Sequence, residues 1–431
     1  MHPQEFLQQA ATVMGAVLKF DQTAEQVLLR HYRANPKLGA RDRAMLSNAV
    51  FRVLRYKNLY EAQAKAAPRG MGALERKLAI LGLKEHSELL DRAVTDIERE
   101  WLSNCSKVDI ETPSDDLPPE QKHNLPIWLG DKLQREMGDH FWPLALAMLE
   151  PAALDIRTNT LKMKTSQLLE QLNSEGLEVE PARHAPDALR LRGKPNLKKH
   201  ALYEQGAFEV QDEGSQLIAL LTQANRNEVV VDYCAGAGGK TLALGEMMSG
   251  RGRLYAVDTV AGRLDSLKPR LERSGLNNVY PMAISGGRDE RIERLHGKVD
   301  CVLVDAPCTG LGTLRRNPDL KWRRKAEDVR RFQVQQLEIL RDAAKLLKPG
   351  GRLIYATCSI LLEENEDVAE FFSSHDSAFK PESVVDLLER QQVKNAAMLG
   401  CGGPDGRLYM RTWPQVHDID GFFAAAWRKT A

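Results

Sequence analysis

The sequence lacks the long apolar stretches that mark membrane proteins. In 431 residues, 43% of them hydrophobic, no apolar run reaches the roughly 18 residues that a membrane-spanning helix needs. The first residues, MHPQEFLQQAATVMG, have no charged segment followed by an apolar one, so no secretory signal is predicted. These two absences predict a cytoplasmic protein with no membrane partner.

Cysteines are few, and none of them form C-x-x-C pairs. The six are Cys105, Cys234, Cys301, Cys308, Cys358 and Cys401. Their scatter excludes the usual zinc-ligand spacing and the density of a disulfide scaffold, so the sequence predicts no metal and free thiols in a reducing compartment. Free thiols are available as nucleophiles.

An excess of charge of one sign is also missing. The formal net charge is +1, which excludes a protein coated in positive charge. The cations are uneven, however, and six of them crowd one segment: Arg315, Arg316, Lys321, Arg323, Arg324 and Lys325. Local basic patches of this kind bind polyanions, so we expect this segment to contact an RNA backbone.

The composition and the spacing of apolar residues change three times along the chain. Residues 1–104 show helical spacing of apolar residues and predict an all-helical domain. Residues 105–126 are rich in proline and acid and predict a linker, and residues 127–206 predict a helical bridge with a small α+β module. Residues 207–431 alternate strands with helices, which is typical of a doubly wound parallel α/β sheet. Two final runs, RLYMRTWP and GFFAAAWRK, predict an antiparallel pair at its end.

A glycine-rich loop follows the first strand of this last region. In VVVDYCAGAGGKT, Gly236, Gly238 and Gly239 allow the backbone to approach a ligand closely. Asp258 ends the next strand about twenty residues on, where an acid can accept hydrogen bonds from ribose hydroxyls. The pattern predicts an adenosine-containing cofactor and leaves nicotinamide cofactors and S-adenosylmethionine both open. It is not a Walker A loop, because Cys234 stands where the first glycine of that motif is required.

Two cysteines end the fourth and fifth predicted strands. Cys308 follows VDAP and Cys358 follows LIYAT, so both should lie at the sheet edge that carries the glycine loop. Cytosine C5 is too weak a nucleophile to take a methyl group unaided, but a thiolate that adds to C6 activates it, and an acid near N3 stabilises the adduct. One thiol can then attack while the other assists release. The attacking thiol needs nearby positive charge to ionise at neutral pH.

Several motifs together resemble the NOP/Sun family of RNA cytosine-C5 methyltransferases. They are DYCAGAGGKT, AVDTVAGRL, VDAPCTGLGTLRRNPDLKWR and IYATCSILLEENEDVAEFF, with FEVQDEGSQL, LDIRTNTLK and DGFFAAAWRK outside the central sheet. The resemblance covers roughly residues 150–430 and is strongest to the bacterial branch that acts on small-subunit ribosomal RNA. The segment LGARDRAMLSNAVFRVLRYK is similar to the NusB-like RNA-binding domain of some members.

The resemblance implies a Rossmann-like class I methyltransferase fold, S-adenosylmethionine as cofactor, and RNA, ribosomal RNA above all, as partner of a monomer. Carried over, Cys358 is the nucleophile, Cys308 promotes product release, and Asp305 lies between cytosine and cofactor. The residues implied to hold the cofactor are Cys234, Ala235, Gly236, Ala237, Gly238, Gly239, Lys240, Asp258 and Asp305. The role of Lys240 stays open, since it can cap the loop or reach the substrate.

Two positions depart from the family pattern. Ala237 stands where the family carries proline, and Gly286 stands where an acid is expected after the third strand, with Asp289 three residues later. We therefore name no cofactor residue after that strand. Three alternatives remain open: the same chemistry on transfer RNA, a catalytically silent ribosome-assembly factor that binds RNA, and a nicotinamide-dependent oxidoreductase.

Overall fold

The computed structural model describes residues 2–105, 117–193, 195–286 and 289–430. Half of the predicted linker, residues 106–116, lies outside these residues. The chain divides into two compact units, one formed by Met1–Pro151 with Leu314–Ala326 and the other by Ala152–Thr313 with Glu327–Ala431. The domain boundaries expected from the sequence stay a prediction.

The amino-terminal part of the first unit is helical, as predicted. Thr23 and Gln26 form a capping box that starts the second helix, and buried Leu46, Val50 and Val53 give the third helix an apolar stripe at three- and four-residue spacing. The helices are α1 Pro3–Val17, α2 Ala24–Ala34, α3 Ala40–Arg55, α4 Lys57–Lys65, α5 Leu74–Gly82, α6 Ser87–Ala93, α7 Asp96–Cys105, α8 Pro119–His123, α9 Ile127–Met137 and α10 Phe141–Ala147.

A small antiparallel sheet begins the second unit. Its elements are β1 Leu154–Thr158, α11 Thr165–Ser174, β2 Val179–Pro181, β3 Ala188–Leu191, α12 Ala201–Glu204 and β4 Phe208–Val210. The strand order is β2-β3-β1-β4, and a core around Ile156, Leu189 and Phe208 holds α11 against the sheet. This is the α+β module expected from the sequence, with β4 as a fourth strand just beyond its predicted end.

The larger sheet of the second unit has the predicted Rossmann-like order. The remaining elements are α13 Glu213–Leu221, β5 Val229–Asp232, α14 Gly239–Met247, β6 Arg253–Asp258, α15 Ala261–Ser274, β7 Val279–Ala283, α16 Glu290–Glu293, β8 Val299–Asp305, α17 Leu320–Arg323, α18 Ala326–Ala344, β9 Leu347–Thr357, α19 Glu366–His375, β10 Phe379–Glu382, α20 Val384–Arg390, β11 Gly400–Cys401, β12 Tyr409–Arg411, α21 Pro414–His417 and β13 Phe423–Lys429. The strand order is β11-β12-β13-β9-β8-β5-β6-β7. The chain adds strands first on one side of β5 and then on the other, as in doubly wound sheets.

Strand direction divides this sheet into two parts. Strands β5 to β9 pair in parallel, whereas β13 pairs antiparallel with β9, β12 and β10. The predicted antiparallel carboxyl-terminal pair is therefore confirmed, and β10 and β11 are additions that the sequence did not predict. In β8 the consecutive residues Cys301–Val304 are all buried, because helices cover both faces of a parallel sheet.

The segment Leu314–Ala326 lies between two parts of the second unit in the sequence, but it packs in the first unit. Lys321 Nζ donates to the carbonyl oxygen of Arg55 at 3.0 Å, and Trp322 Nε1 donates to that of Leu54 at 2.7 Å. The Arg55 guanidinium donates back to the carbonyl oxygen of Arg315 at 2.6 Å. The bonds from Lys321 and Trp322 satisfy carbonyls at the end of α3, which has no intrahelical donors left for them.

Candidate active site

Four strands of the second unit end at one edge of the sheet. Asp232 of β5 stands beside Leu303 of β8, and Asp305 at the end of β8 stands beside Ala356 of β9. Because parallel strands share their carboxyl-terminal edge, the loops after β5, β6, β8 and β9 meet there. The expectation that both strand-end cysteines share an edge with the glycine loop is confirmed.

The two cysteines are in direct contact. Cys308 Sγ and Cys358 Sγ lie 3.3 Å apart, and both residues are half-buried. The Gly312 N–H donates to the carbonyl oxygen of Cys358 at 2.9 Å, which ties the turn after β8 to that after β9. The hydrogen bond with Cys358, followed by burial, raises the pKa of Cys308 well above its ordinary value. Cys308 is therefore a thiol that holds its proton beside the sulfur of Cys358.

Lys240 and Asp305 form an ion pair beside the thiols. Lys240 Nζ donates to Asp305 Oδ2 at 2.8 Å and lies 5.9 Å from the ring centre of Phe422. Burial by itself would lower the pKa of Lys240, but the charge of Asp305, with a contribution from Cys358, outweighs it and raises that pKa. Lys240 stays a cation, so the structure supplies positive charge next to the predicted nucleophile.

Two glycines with positive φ set the conformation of the glycine loop. At Gly238, φ is 81° and a Cβ would lie 2.2 Å from Leu267 Cδ1, so only glycine fits against α15 there. At Gly236, φ is 57° and nothing lies within 4 Å of a Cβ position. The backbone at Gly236 thus borders open space at the sheet edge, the feature that a cofactor loop requires. Ala237 is exposed, and its carbonyl oxygen accepts from Arg270 at 2.6 Å.

Asp258 lies against this loop. Its carboxylate accepts the N–H of Gly236 at 2.9 Å and that of Val260 at 2.8 Å. Each carboxylate oxygen keeps a further lone pair, so the group retains acceptors for ribose hydroxyls. Burial raises the pKa of the nearby Cys234 thiol well above its ordinary value, which makes this thiol unreactive.

Sequence reasoning missed a buried acid under the loop. Asp232 is fully buried and accepts a hydrogen bond from Thr241 Oγ1 at 2.7 Å. Burial raises the pKa of Asp232 to about 7, against the opposing hydrogen bond from Thr241. The only available signal was its place at a strand end in VVVDYC. After the third strand, Asp289 caps α16 and pairs with Arg291 at 2.7 Å, so its carboxylate is already engaged.

The basic segment is only partly available to RNA. Arg315 and Lys321 are buried, and burial lowers the pKa of Lys321 well below its ordinary value. The expectation that all six cations contact an RNA backbone is wrong for these two, because they support the packing of the first unit. Arg316, Arg323 and Arg324 are half-buried, and Lys325 is exposed.

No helix among the described residues is long and apolar enough to cross a membrane. Within the same residues, no cluster of three or more histidine, cysteine or carboxylate side chains is arranged to hold a metal ion.

Comparison with known proteins identifies the family. Residues 219–428 match the family described as 16S rRNA methyltransferase RsmB/F, and residues 125–198 match its ferredoxin-like domain. A ribosomal RNA small subunit methyltransferase B from Shewanella oneidensis is 32% identical over 297 residues, 68% of this chain and 68% of the relative. The chain belongs to the RsmB/F methyltransferase family. The resemblance inferred from the motifs is confirmed, and membership of this family implies the use of S-adenosylmethionine.

Other relatives agree with this assignment. A probable ribosomal RNA small subunit methyltransferase B from Bacillus subtilis is 29% identical over 385 residues, which cover 88% of this chain and 83% of the relative. The crystal structure of a methyltransferase homolog protein from Pyrococcus horikoshii matches with a TM-score of 0.62 and 27% identity, over 73% of this chain and 100% of that one.

Proposed function

We propose that this methyltransferase makes 5-methylcytosine in small-subunit ribosomal RNA, with Cys358 as the nucleophile and Cys308 as the residue that promotes release. The observation that carries the proposal is the 3.3 Å contact between the two thiols beside the Lys240–Asp305 pair. The names of the relatives support the choice of RNA, since those from Bacillus subtilis and Shewanella oneidensis are ribosomal RNA small subunit methyltransferases.

Each side chain has a chemical task in this scheme. Cys358 Sγ adds to C6 of cytosine, so that C5 becomes nucleophilic, while Asp305 faces the base and stabilises the adduct. Lys240 holds the Asp305 carboxylate and places a positive charge near the sulfur of Cys358. After C5 is methylated, the electrons of the C5–H bond re-form the C5=C6 double bond and the C6–Sγ bond breaks. Cys308 can donate its proton to the departing sulfur of Cys358, and its own sulfur, then a thiolate, can accept the proton from C5.

The glycine loop and Asp258 fit S-adenosylmethionine. Gly236 borders open space, Asp258 keeps free acceptor lone pairs, and Asp305 at the strand end is about one-third exposed, its side-chain exposure being 31%. The residues proposed to hold the cofactor are Cys234, Ala235, Gly236, Ala237, Gly238, Gly239, Lys240, Asp258 and Asp305. When bound, the cofactor supplies an electrophilic methyl group.

The test is methyl transfer from labelled S-adenosylmethionine to ribosomal RNA. We expect Cys358→Ala to abolish transfer and Cys308→Ala to accumulate an RNA–protein adduct that survives denaturing electrophoresis. Sequencing the trapped RNA identifies the molecule and the cytosine. Cys401→Ala removes a half-buried thiol that is not among the proposed site residues. It is the matched control and should retain activity.

Two outcomes contradict the scheme. Transfer that persists in Cys358→Ala rules out the proposed nucleophile, and absence of an adduct in Cys308→Ala rules out the division of labour between the thiols. Trapped transfer RNA in place of ribosomal RNA would correct the substrate and leave the chemistry standing.

A further inference from the structure

A buried carboxylate lies behind both cysteine turns. Glu364 ends the 3-10 turn Leu362–Glu364 that follows β9, and none of it is exposed to solvent. A charged group in such a place must be satisfied by hydrogen bonds, because burial of an unpaired charge is costly.

Glu364 accepts four hydrogen bonds, all from neutral donors. Its Oε1 accepts the Thr309 N–H at 2.8 Å and Gln336 Nε2 at 3.1 Å. Its Oε2 accepts the hydroxyls of Thr309 and Ser359, each at 2.5 Å. Bonds to a charged acceptor are roughly twice as strong as neutral ones, so this carboxylate is a strong link between its partners.

The partners of Glu364 come from the two reactive turns. Thr309 directly follows Cys308, and Ser359 directly follows Cys358. The Tyr355 hydroxyl donates to the carbonyl oxygen of Glu364 at 2.6 Å, so β9 also holds the backbone of Glu364 in place. A single side chain therefore ties the residue after one thiol to the residue after the other.

The charge of Glu364 also reaches the thiols. After the hydrogen bond with Cys358 and burial, Glu364 is among the causes that raise the pKa of Cys308. Its negative charge thus helps Cys308 to keep the proton that it shares with the sulfur of Cys358.

We propose that Glu364 is a positioning residue that joins the Cys308 and Cys358 turns and keeps their sulfurs in contact. The inference rests on the proposed function, because it names Glu364 as the residue that positions the proposed nucleophile and the proposed release thiol. It predicts that loss of the carboxylate separates the two thiols while the sheet stays folded.

The test measures thiol contact without RNA or cofactor. Diamide oxidises two neighbouring thiols to a disulfide and is itself reduced to the hydrazine. In the full-length wild-type protein we expect rapid formation of a Cys308–Cys358 disulfide, identified by mass spectrometry of non-reduced peptides. Glu364→Ala should slow it at least about tenfold, because a displacement of about 1 Å is enough to disrupt reacting geometry. Glu370→Ala, an exposed glutamate of α19, is the control and should react at the wild-type rate.

Glu364→Gln separates position from charge. The amide oxygen can still accept the donors at Oε1, and the hydroxyls of Thr309 and Ser359 can turn to accept from the amide nitrogen. Disulfide formation should then recover to within about threefold of wild type, and alkylation of Cys308 should move to lower pH, because a negative charge that raises its pKa is gone. A purely structural role would not move this pH profile. The measurement also remains decisive if Glu364→Ala does not fold.

Two results would overturn the inference. One is a folded Glu364→Ala, shown by an unchanged melting temperature, whose thiols cross-link at the wild-type rate. The other is a Glu364→Gln variant whose Cys308 is alkylated with the wild-type pH profile. Neither depends on methyl transfer, so failure of the proposed function, seen as a wild-type protein that modifies no RNA, is distinguishable from failure of this inference.

Discussion

The pKa values of two buried lysines of this chain are shifted in opposite directions. Lys240 lies at the sheet edge with Asp305 at 2.8 Å, and its pKa is raised. Lys321 lies in the segment Leu314–Ala326, where its Nζ donates to the carbonyl oxygen of Arg55 at 3.0 Å, and its pKa is lowered well below its ordinary value. Burial, with the charges of Arg55 and Lys57, lowers the pKa of Lys321, whereas a carboxylate partner outweighs burial and raises that of Lys240.

The difference separates the proposed active site from a packing region. At the sheet edge, Lys240 stays a cation beside Asp305, as the proposed covalent chemistry on a base requires. In the segment Leu314–Ala326, Lys321, which looks suited to RNA, instead donates to the carbonyl oxygen of Arg55 at the end of α3. A basic motif therefore predicts a polyanion site only where the cations reach solvent.

The largest expected effect comes from removing the charged lysine. Lys240→Met leaves the Asp305 carboxylate without its cation, and we expect methyl transfer to fall by about 10²- to 10³-fold. The measurement is kcat with labelled S-adenosylmethionine, alongside thermal unfolding. Lys321→Met is the matched buried-lysine control and should keep turnover within about tenfold. Wild-type turnover in Lys240→Met would show that the ion pair has no part in the reaction.

A buried acid whose pKa is raised by burial, despite the nearby charge of Lys240, should make stability depend on pH. The pKa of Asp232 rises from its ordinary value of 3.8 to about 7 on folding, so between these values the folded state binds more protons than the unfolded state. The free energy of unfolding therefore falls as pH rises through this window. Asp232→Asn removes the effect. The free energy of unfolding of this variant, relative to that of wild type, should therefore increase between pH 4 and pH 7 by on the order of 4 kcal/mol. Denaturant unfolding at several pH values measures it, and a constant difference would refute the assignment.

The lysine whose pKa is lowered should show the opposite slope. Because folding lowers the pKa of Lys321 from its ordinary value of 10.5, the unfolded state binds more protons than the folded state between the lowered pKa and 10.5, and the free energy of unfolding rises with pH through that window. The stability of Lys321→Met relative to wild type should therefore be greater at pH 7 than at pH 10. A difference that stays the same across this range would mean that folding does not lower the pKa of Lys321.

The smallest effect concerns the second bond to α3. Trp322→Phe loses the 2.7 Å hydrogen bond to the carbonyl oxygen of Leu54, and we expect a loss of about 1 kcal/mol in the free energy of unfolding. Lys325→Ala, in the same segment but exposed, should change it by less than about 0.5 kcal/mol. Equal effects of the two substitutions would argue against an anchoring role for Trp322.

Much of the second unit was predictable because its signals are local. The apolar run of VDCVLVD and the small residues of DYCAGAGGKT require only near neighbours in sequence, and they located β8, the glycine loop and the edge where Cys308 and Cys358 meet. Strands β10 and β11 escaped prediction because each is short, at four and two residues, and is stabilised by pairing with β13 and β12 instead of by its own pattern.

The supporting residues of the site were not predictable in the same way. Glu364 lies in the quoted motif IYATCSILLEENEDVAEFF, but its identity as the acceptor of Thr309 depends on a partner 55 residues away. The two ends of the segment Leu314–Ala326 are continuous with the second unit, and nothing in its composition indicates that Trp322 bonds to Leu54 across 268 residues.

The sequence by itself determined the parallel strands β5 to β9 and the final antiparallel pair, the loop glycines, and the presence of two thiols at strand ends, because backbone preference and apolar periodicity act over a few residues. Only the tertiary structure decided which charges survive burial. Lys240 and Lys321 are the same side chain and both are buried, but the presence of Asp305 beside one and a backbone carbonyl beside the other depends on contacts that form when distant parts of the chain pack together.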